Sequence, residues 1–364
     1  MGGEQFMARA LELARRGEGL TRPNPPVGAV VVRDGVVIGE GWHRKVGGPH
    51  AEVYALWQAG DGARGATLYV TLEPCSTEGR TPPCTQRIVE SGVAEVVIAT
   101  NDPNPHHAGR GIRLLRRHGV RVRQSVCAEE GLDLIRPFTS WMLAGRPYLT
   151  LKLGTTLDGR IADRRGRSRW ITGPEAREEV QALRRRADAI MVGAGTIRKD
   201  NPSLWPRPAK GRNPWRVVVD TNGHTRPSAQ VYTDAHAVRT VLAVGRCVTE
   251  RRLQSYSRCG TECLFVPAGR TASVRRVMKA LAERGVLHVL CEGGGGLASS
   301  LIRAGVVDEY AFFVAPNIMG GTAGYSAVGG PGWQLPNLPR LQFVEERRVG
   351  DDLLIRARNA ETEL

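Results

Sequence analysis

Two short segments constrain the fold of this chain more than any other part of its sequence. The first reads PHAE at 49–52, and the second begins with Glu73-Pro74-Cys75 and ends at Cys84. The His50 imidazole and the two thiols are three ligands for a tetrahedral zinc ion, with a fourth position left open. An open position is typical of a catalytic zinc, which binds water there and lowers the pKa of that water. The fold is therefore expected to bring the two segments together.

Glu52 follows His50 by two residues and has the position of a proton carrier. The pattern H-x-E followed by P-C-x-x-C is the signature of zinc deaminases that act on pyrimidine and purine rings. Here eight residues separate Cys75 from Cys84 instead of two, and this longer spacing restricts the match to a subset of the zinc deaminases. A lone histidine or buried cysteine is usually structural, so the prediction depends on the joint pattern.

Length and composition predict a globular protein of about two domains, since the chain has 364 residues, 41% of them hydrophobic and 24% charged. The seven cysteines have no regular spacing, so we expect no disulfide framework and a reduced, cytoplasmic compartment. The first residues show no basic region followed by an apolar run, and no stretch reaches about eighteen apolar residues. We therefore expect neither a signal peptide nor a membrane partner.

The net charge of +15 comes from 51 basic and 36 acidic residues. Such a charge is common in proteins that bind nucleic acid, but the arginines are spread along the whole chain. A solvated arginine-rich surface explains the charge equally well, and some arginines could hold phosphate groups of small substrates. We expect no nucleic-acid partner.

Alternating helical and extended segments in the first half predict a layered α/β domain. Asp34-Gly35, between two β-branched runs, predicts a hairpin. Cys75 follows a buried-type strand, and Cys84 opens a helix whose dipole favours thiolate over thiol. Helices are expected at 4–16, from 50 onward, and at 84–91, 111–118 and 129–143, and strands at 27–32, 36–38, 66–72, 94–99 and 120–126. A domain boundary is expected at 145–147.

The second half also alternates strands and helices. A glycine run at 293–296 lies between a strand and a helix, where backbone N–H groups and the helix N-terminus can cradle a pyrophosphate. Such runs are as often simple tight turns, and no G-x-G-x-x-G follows a first strand, so a Rossmann domain is not predicted. Strands are expected at 148–153, 189–192, 216–220, 286–291, 308–315 and within 341–357, whereas the sequence does not indicate how 221–285 pair.

Taken together, these motifs resemble the bifunctional riboflavin-biosynthesis deaminase–reductase family over nearly the whole chain. In the first half the resemblance rests on PHAE and EPC, on GRTPPC at 79–84, on NP at 24–25 and on DPN at 102–104. In the second half it rests on LDGR at 157–160, Ser168 with WIT at 170–172, GT at 195–196 with DNP at 200–202, and EGG at 292–294.

The resemblance implies a cytidine-deaminase-like layered α/β domain at 1–146 and a dihydrofolate-reductase-like α/β domain at 147–364. It implies zinc-dependent deamination of a pyrimidine ribotide by the first domain and NADPH-dependent reduction of its ribosyl chain by the second. It also implies a homo-oligomer. An alternative is a paralogue with the same two chemistries in another pathway of pyrimidine-derived metabolites.

The resemblance also implies roles for single residues. His50, Cys75 and Cys84 become the zinc ligands, and Glu52 the proton carrier. The implied NADPH contacts are Gly154, Trp170, Thr196, Asp200, Thr221, Gly294, Gly295, Gly296 and Leu297. The implied substrate contacts are Lys152, Ser168, Arg184, Leu204, Arg207 and Glu292 in the reductase, and Asn24, Arg80, Asp102 and Asn104 in the deaminase. Guanidinium groups suit a substrate phosphate because they bind it with two parallel hydrogen bonds.

One departure from the family pattern lies inside the predicted deaminase pocket. Thr77-Glu78 stands where members usually have at least one histidine. Threonine has a shorter reach and carries no positive charge. The sequence therefore predicts weaker ribotide binding or a shifted substrate preference, and it predicts that Thr77→His raises deaminase efficiency.

Overall fold

The computed structural model describes residues 3–78, 82–209, 213–322 and 324–360, apart from the side chains of 270–272. Contacts divide the chain into two compact units, Met1–Arg146 and Pro147–Leu364. No helix in the described ranges is long and apolar enough to cross a membrane.

The first unit is built on a five-stranded sheet in the order β2-β1-β3-β4-β5. β1 runs antiparallel to both of its neighbours, and β3, β4 and β5 are parallel. The elements are α1 (Glu4–Arg15), β1 (Gly28–Arg33), β2 (Val36–Trp42), α2 (Ala51–Ala59), β3 (Thr67–Leu72), α3 (Cys84–Ser91), β4 (Glu95–Thr100), α4 (Arg110–Arg117), β5 (Arg121–Arg123) and α5 (Ala128–Ala144), with a 3-10 turn at Gly60–Ala63.

Helices cover both faces of this sheet, because alternate strand residues point to opposite sides. On one face Val31 and Val70 pack with apolar residues of α2, α3 and α4. On the other face Val30 and Val97 pack with residues of α1 and α5. The metal-ligand candidates all lie on the side that carries α2 and α3.

Most predicted elements of the first unit are confirmed, including the hairpin at Asp34-Gly35, both of whose residues have positive φ (51° and 77°). The helix expected at 84–91 has those bounds. The strand expected at 120–126 is wrong in length, since β5 covers Arg121–Arg123 only. It lies at the edge of the sheet, and the residues that follow it turn towards α5.

The second unit is built on a nine-stranded sheet in the order β11-β10-β9-β8-β12-β6-β13-β16-β15. It is parallel except where β16 pairs with β13 and β15. The strands are β6 (Tyr148–Thr156), β7 (Arg160–Ala162), β8 (Ala189–Gly193), β9 (Trp215–Val219), β10 (Thr240–Val244), β11 (Glu262–Phe265), β12 (His288–Cys291), β13 (Glu309–Ala315), β14 (Tyr325–Ser326), β15 (Leu341–Val349) and β16 (Asp352–Asn359). β7 and β14 form a separate two-stranded sheet.

Helices also pack on this larger sheet. They are α6 (Pro174–Arg186), α7 (Ala194–Asp200), α8 (Gln230–Thr233), α9 (Glu250–Ser257), α10 (Arg270–Glu283) and α11 (Gly295–Arg303), with 3-10 turns at Ala237–Arg239 and Leu335–Asn337. The main core joins strand residues such as Leu151 and Val289 to α10 and α11. Both units are thus layered α/β structures, as the sequence predicted.

Candidate active sites

The three predicted metal ligands of the first unit converge. His50 is the residue immediately before α2, Cys75 follows β3, and Cys84 is the first residue of α3. Their ligand atoms lie within 4.8 Å of one another. The Cys84 N–H donates to the Cys75 sulfur (3.3 Å), and the Thr85 N–H donates to the Cys75 carbonyl (3.1 Å). The first turn of α3 therefore holds the Cys75 segment in place.

The chemistry of the donor set, one imidazole and two thiols, fits a tetrahedral zinc ion, and one of the two nitrogen–sulfur distances matches zinc coordination. His50 Nδ1 lies 3.1 Å from the Cys84 sulfur and 3.6 Å from the Cys75 sulfur. Standard zinc–nitrogen and zinc–sulfur bonds at tetrahedral angles require a separation of about 3.6 Å. Hydrogen bonds from Cys84 and His50 also lower the pKa of Cys75 to about 4, against the opposing effect of burial. Cys75 is therefore the more acidic of the two thiols, since the hydrogen bond with Cys75 and burial raise the pKa of Cys84, and the thiolate is the form that binds metal.

Glu52 lies beside the ligands without being one of the three clustered donors. Its side chain is buried in the first turn of α2, two residues after His50. Burial raises the pKa of Glu52, although His50 opposes the shift. A carboxyl group that binds a proton more tightly than usual suits transfer of that proton to and from a reacting group.

His43 is a site residue that the motif search did not assign. It is 2% exposed, and its ring centroid lies 5.2 Å from that of His50. His43 Nδ1 donates to the Pro49 carbonyl (3.1 Å), and Nε2 accepts from the Asn24 amide (3.2 Å). Asn24 is thus placed at the predicted site through His43, and the pair holds the segment that presents His50. The sequence signal that could have identified His43 is its position seven residues before the predicted ligand His50.

The loop Asp102–Gly109 carries Asp102 and Asn104 and is joined at both ends to Glu73, two residues before Cys75. Asp102 Oδ1 accepts the Asn104 N–H (2.8 Å), and burial raises the pKa of Asp102. His107 of this loop lies 3.4 Å from the Thr77 hydroxyl, measured from Nδ1. Sequence reasoning missed His107, since its partner lies 30 residues away along the chain. Arg80, the fourth predicted substrate contact, lies outside the described residues.

In the second unit, three charged side chains meet where β6 and β12 pair side by side. Arg184 of α6 forms two hydrogen bonds with Glu292, at 2.6 and 2.9 Å, and the two side chains are 14% and 10% exposed. Burial lowers the pKa of Lys152, and Glu292 opposes that shift. Burial disfavours ionisation of Glu292, yet Arg184 and Lys152 together hold the pKa of Glu292 below its usual value. Arg184 is thus engaged with a protein carboxylate, and its predicted phosphate contact stays a prediction.

Two helix N-termini lie side by side at the carboxyl ends of β8 and β12. Gly193 precedes α7 and Gly294 precedes α11. The Leu297 side chain of α11 lies within 4 Å of the position that a Cβ atom would take on Gly193 or Gly293. A Cβ on Gly295 would lie 2.5 Å from the Ser326 carbonyl, so only glycine fits there. The first N–H groups of a helix have no partner within it and favour anions. This paired arrangement suits the pyrophosphate of a dinucleotide.

The remaining predicted cofactor contacts lie on several elements of the second unit. Thr196 lies in the first turn of α7, and Asp200 ends that helix. The Asp200 carbonyl accepts a hydrogen bond from Arg169 (2.8 Å), whose neighbour Trp170 is 69% exposed. Thr221 follows β9, and its carbonyl accepts the Gly245 N–H (2.8 Å). Gly154 lies on β6, where an added Cβ would be 3.4 Å from Thr172 and 3.8 Å from the Lys152 ammonium.

The other predicted reductase-substrate contacts differ in accessibility. The Leu204 side chain is 2% exposed and packs in an apolar cluster with Ile190 and Val218. The Leu204 backbone has a positive φ of 60°, and the predicted substrate contact of this residue stays a prediction. Arg207 is exposed, and its backbone is tied to α6 by hydrogen bonds to Gln181 (2.9 Å) and from Arg185 (3.1 Å). Ser168 is half-buried in the loop before α6.

Comparison with known proteins agrees with this geometry in both units. The "cytidine and deoxycytidylate deaminase zinc-binding region" matches residues 2–100, and the "RibD C-terminal domain" matches residues 147–355. The chain is 42% identical to riboflavin biosynthesis protein RibD of Bacillus amyloliquefaciens over 357 residues, covering 97% of this chain and 95% of the relative. It is 39% identical to RibD of Escherichia coli over 374 residues, covering 98% and 99%.

Solved structures give the same result. A diaminohydroxyphosphoribosylaminopyrimidine deaminase/5-amino-6-(5-phosphoribosylamino)uracil reductase from Thermotoga maritima is 38% identical, with a TM-score of 0.86 and 98% of each chain covered. RibD of Acinetobacter baumannii also has a TM-score of 0.86, at 33% identity, covering 98% of this chain and 99% of that one.

The fold and the ligand set define a zinc-dependent deaminase joined to an NADPH-dependent reductase. The chain belongs to the RibD family of riboflavin biosynthesis proteins. The predictions of family, fold class, enzyme type and both cofactors are confirmed. The roles assigned to single residues stay predictions.

Proposed function

We propose that this chain catalyses two consecutive steps of riboflavin biosynthesis. The first is hydrolytic deamination of 2,5-diamino-6-(5-phosphoribosylamino)pyrimidin-4-one. The second is reduction of the ribosyl chain of 5-amino-6-(5-phosphoribosylamino)uracil to ribityl with NADPH. The observation that carries the proposal is the convergence of His50, Cys75 and Cys84 beside buried Glu52, in a chain similar to RibD along almost its full length. That full-length similarity does not favour the paralogue alternative.

In the deaminase, His50, Cys75 and Cys84 would hold the zinc ion, which supplies a Lewis acid that makes water nucleophilic at neutral pH. The Glu52 carboxyl accepts a proton from the attacking water and delivers it to the departing amino group, which leaves as ammonia. His43 and Asn24 fix the segment before α2 and hence the direction of the His50 ring. Asp102 and Asn104 present polar groups to the pyrimidine.

In the reductase, the N-termini of α7 and α11 would hold the pyrophosphate of NADPH, which would supply a hydride to C1′ of the ribosyl chain. Reduction at C1′ breaks its bond to the ring oxygen, and that oxygen needs a proton. The buried Lys152 ammonium is the group proposed to supply that proton, because burial lowers the pKa of Lys152, an effect that Glu292 opposes, and the group therefore gives up a proton more readily than a solvent-exposed lysine. Exposed Arg207 is the guanidinium best available for the substrate phosphate.

A homo-oligomer is supported by the outer strand of the larger sheet. β15 is the last strand of the nine, and its Phe343 and Val344 are 64% and 40% exposed. An edge strand with apolar side chains is a template for a further strand, and a two-fold axis would let a second copy cover the same edge. Light scattering on the purified protein measures the assembly directly.

The deaminase and reductase proposals are tested together by following ammonia release and NADPH oxidation with the pyrimidine ribotide, with RNA as the comparison substrate. We expect both signals with the ribotide and no ammonia from RNA. Ammonia from RNA, or no NADPH oxidation after deamination, would contradict the proposed function.

A further inference from the structure

The loop Asp102–Gly109 carries two predicted substrate contacts of the deaminase, and its internal shape is set by local hydrogen bonds. Asp102 Oδ1 accepts the Asn104 N–H (2.8 Å), and Asn104 Oδ1 accepts the His106 N–H (3.0 Å). These bonds close turns within the loop. They do not determine how far the loop lies from the metal ligands.

Glu73 connects this loop to the metal-ligand segment. It follows β3, two residues before Cys75, and is 5% exposed. One carboxylate oxygen accepts the N–H of Gly109 (2.9 Å) and, at a longer distance, that of Asp102 (3.4 Å). The other oxygen accepts the N–H groups of Gly111 (2.9 Å) and Ile112 (3.3 Å). A single buried carboxylate therefore joins both ends of the loop and the first turn of α4.

A close backbone approach reinforces this connection. A Cβ on Gly111 would lie 2.1 Å from the Pro74 carbonyl oxygen, so the first turn of α4 rests directly on Pro74. Glu73 and Pro74 both belong to the segment that presents Cys75. The loop and the first turn of α4 are thus fastened to the segment that presents this ligand.

We propose that Glu73 is a positioning residue of the deaminase, which fastens the loop Asp102–Gly109 at its working distance from the metal ligands and so sets affinity for the pyrimidine substrate. The inference depends on the proposed deaminase function. Hydrogen bonds to a carboxylate are stronger than those to a neutral amide oxygen. In Glu73→Gln one acceptor oxygen becomes an NH₂ group that cannot accept, so buried N–H groups lose their partner.

The test compares Glu73→Gln with Glu40→Gln. Glu40 is a matched control in the same unit, because its carboxylate pairs with Arg9 (2.7 and 3.0 Å) on α1 instead of with the loop. The measurements are zinc content, deaminase KM and kcat, NADPH-dependent reduction, and hydrogen exchange of the amides at 102–112 by mass spectrometry.

We expect Glu73→Gln to raise the deaminase KM by about tenfold or more, since small displacements of positioning groups are costly. Its kcat should stay within about threefold of wild type, because His50, Cys75, Cys84 and Glu52 are unchanged. Zinc content and reduction should match wild type, and the loop amides should exchange faster. Glu40→Gln should leave all four measurements unchanged.

A double-mutant cycle with Asp102→Asn separates positioning from a general loss of stability. If Glu73 acts through the loop, the two effects on KM are not additive. Additive effects, an unchanged KM, or joint loss of zinc and kcat would each overturn the proposal. Wild-type protein without deaminase activity would instead refute the proposed function, and hydrogen exchange would still decide whether Glu73 holds the loop.

Discussion

Glu52 is the residue on which the deaminase chemistry depends most directly, because it is buried beside the ligands while the three metal-binding atoms come from other side chains. We predict that Glu52→Gln lowers deamination by about 10²–10⁴-fold, the usual contribution of a general acid–base group. Zinc content and NADPH-dependent reduction should be retained. The checks are ammonia release, elemental analysis and NADPH oxidation with the deaminated substrate. Loss of zinc in a folded variant would show instead that Glu52 supports the metal ligands.

The Thr77 position shows what sequence reasoning could and could not provide. The sequence has Thr77-Glu78 where the family resemblance implies a histidine. It could not indicate that His107, on another loop, lies 3.4 Å from the Thr77 hydroxyl. Contacts between distant parts of the chain depend on the fold, so an imidazole supplied from elsewhere leaves no local signal. The structure therefore gives a reason to expect a smaller gain from Thr77→His than the sequence predicts.

We predict that His107→Ala lowers deaminase kcat/KM by roughly fivefold, which corresponds to about 1 kcal/mol for one hydrogen bond. The neighbouring His106 is exposed and serves as the matched control, so His106→Ala should change the value by less than twofold. Steady-state kinetics on the phosphorylated substrate measures both variants. Equal effects of the two substitutions would mean that His107 has no particular role in the pocket.

At the scale of elements, the sequence predicted segments with strong periodicity and left their pairing open. The helix bounds of α1 and α3 and the hairpin of β1 and β2 follow from local patterns. The sequence did not indicate how residues 221–285 pair. In the structure β10 and β11 lie in this stretch and β9 directly precedes it, and the three strands pair in parallel. Parallel pairing requires a crossover connection and has no short turn signal. The order of such strands is therefore set by packing of the helices between them.

The contact between α6 and the carboxyl end of β12 gives a prediction about stability. Arg184 and Glu292 form a largely buried ion pair, and removing Arg184 takes away both of its hydrogen bonds to the buried Glu292 carboxylate. We predict that Arg184→Ala lowers the free energy of unfolding of this unit by about 3–5 kcal/mol and weakens reduction.

Arg185 offers a matched control on the same helix. Its partner Glu178 is 67% exposed, so Arg185→Ala should cost no more than about 1 kcal/mol. Chemical denaturation measures the free energy of unfolding of both variants, and NADPH oxidation measures their reductase activity. Similar losses of stability in the two variants would contradict a special role for the pair between α6 and β12.

At the scale of the whole molecule, each unit has its own sheet and its own core, and the proposed zinc ligands all lie in Met1–Arg146. We predict about one zinc ion per chain. Removing it with a chelator should abolish deamination, because three ligands with an open position are typical of a catalytic site. Reduction of the deaminated substrate should continue at an unchanged rate, since the predicted contacts to NADPH and to the reductase substrate all lie in Pro147–Leu364.

The measurement combines elemental analysis with separate ammonia and NADPH assays before and after chelation, followed by zinc addition to restore deamination. If zinc addition restores deamination, the loss was caused by removal of the metal. A chelator that unfolded or blocked the protein would leave it inactive after zinc is added. Metal-free protein that still deaminates would refute the role of His50, Cys75 and Cys84. A parallel loss of reduction would show that metal binding also stabilises the second unit, and the two activities could then not be treated as independent.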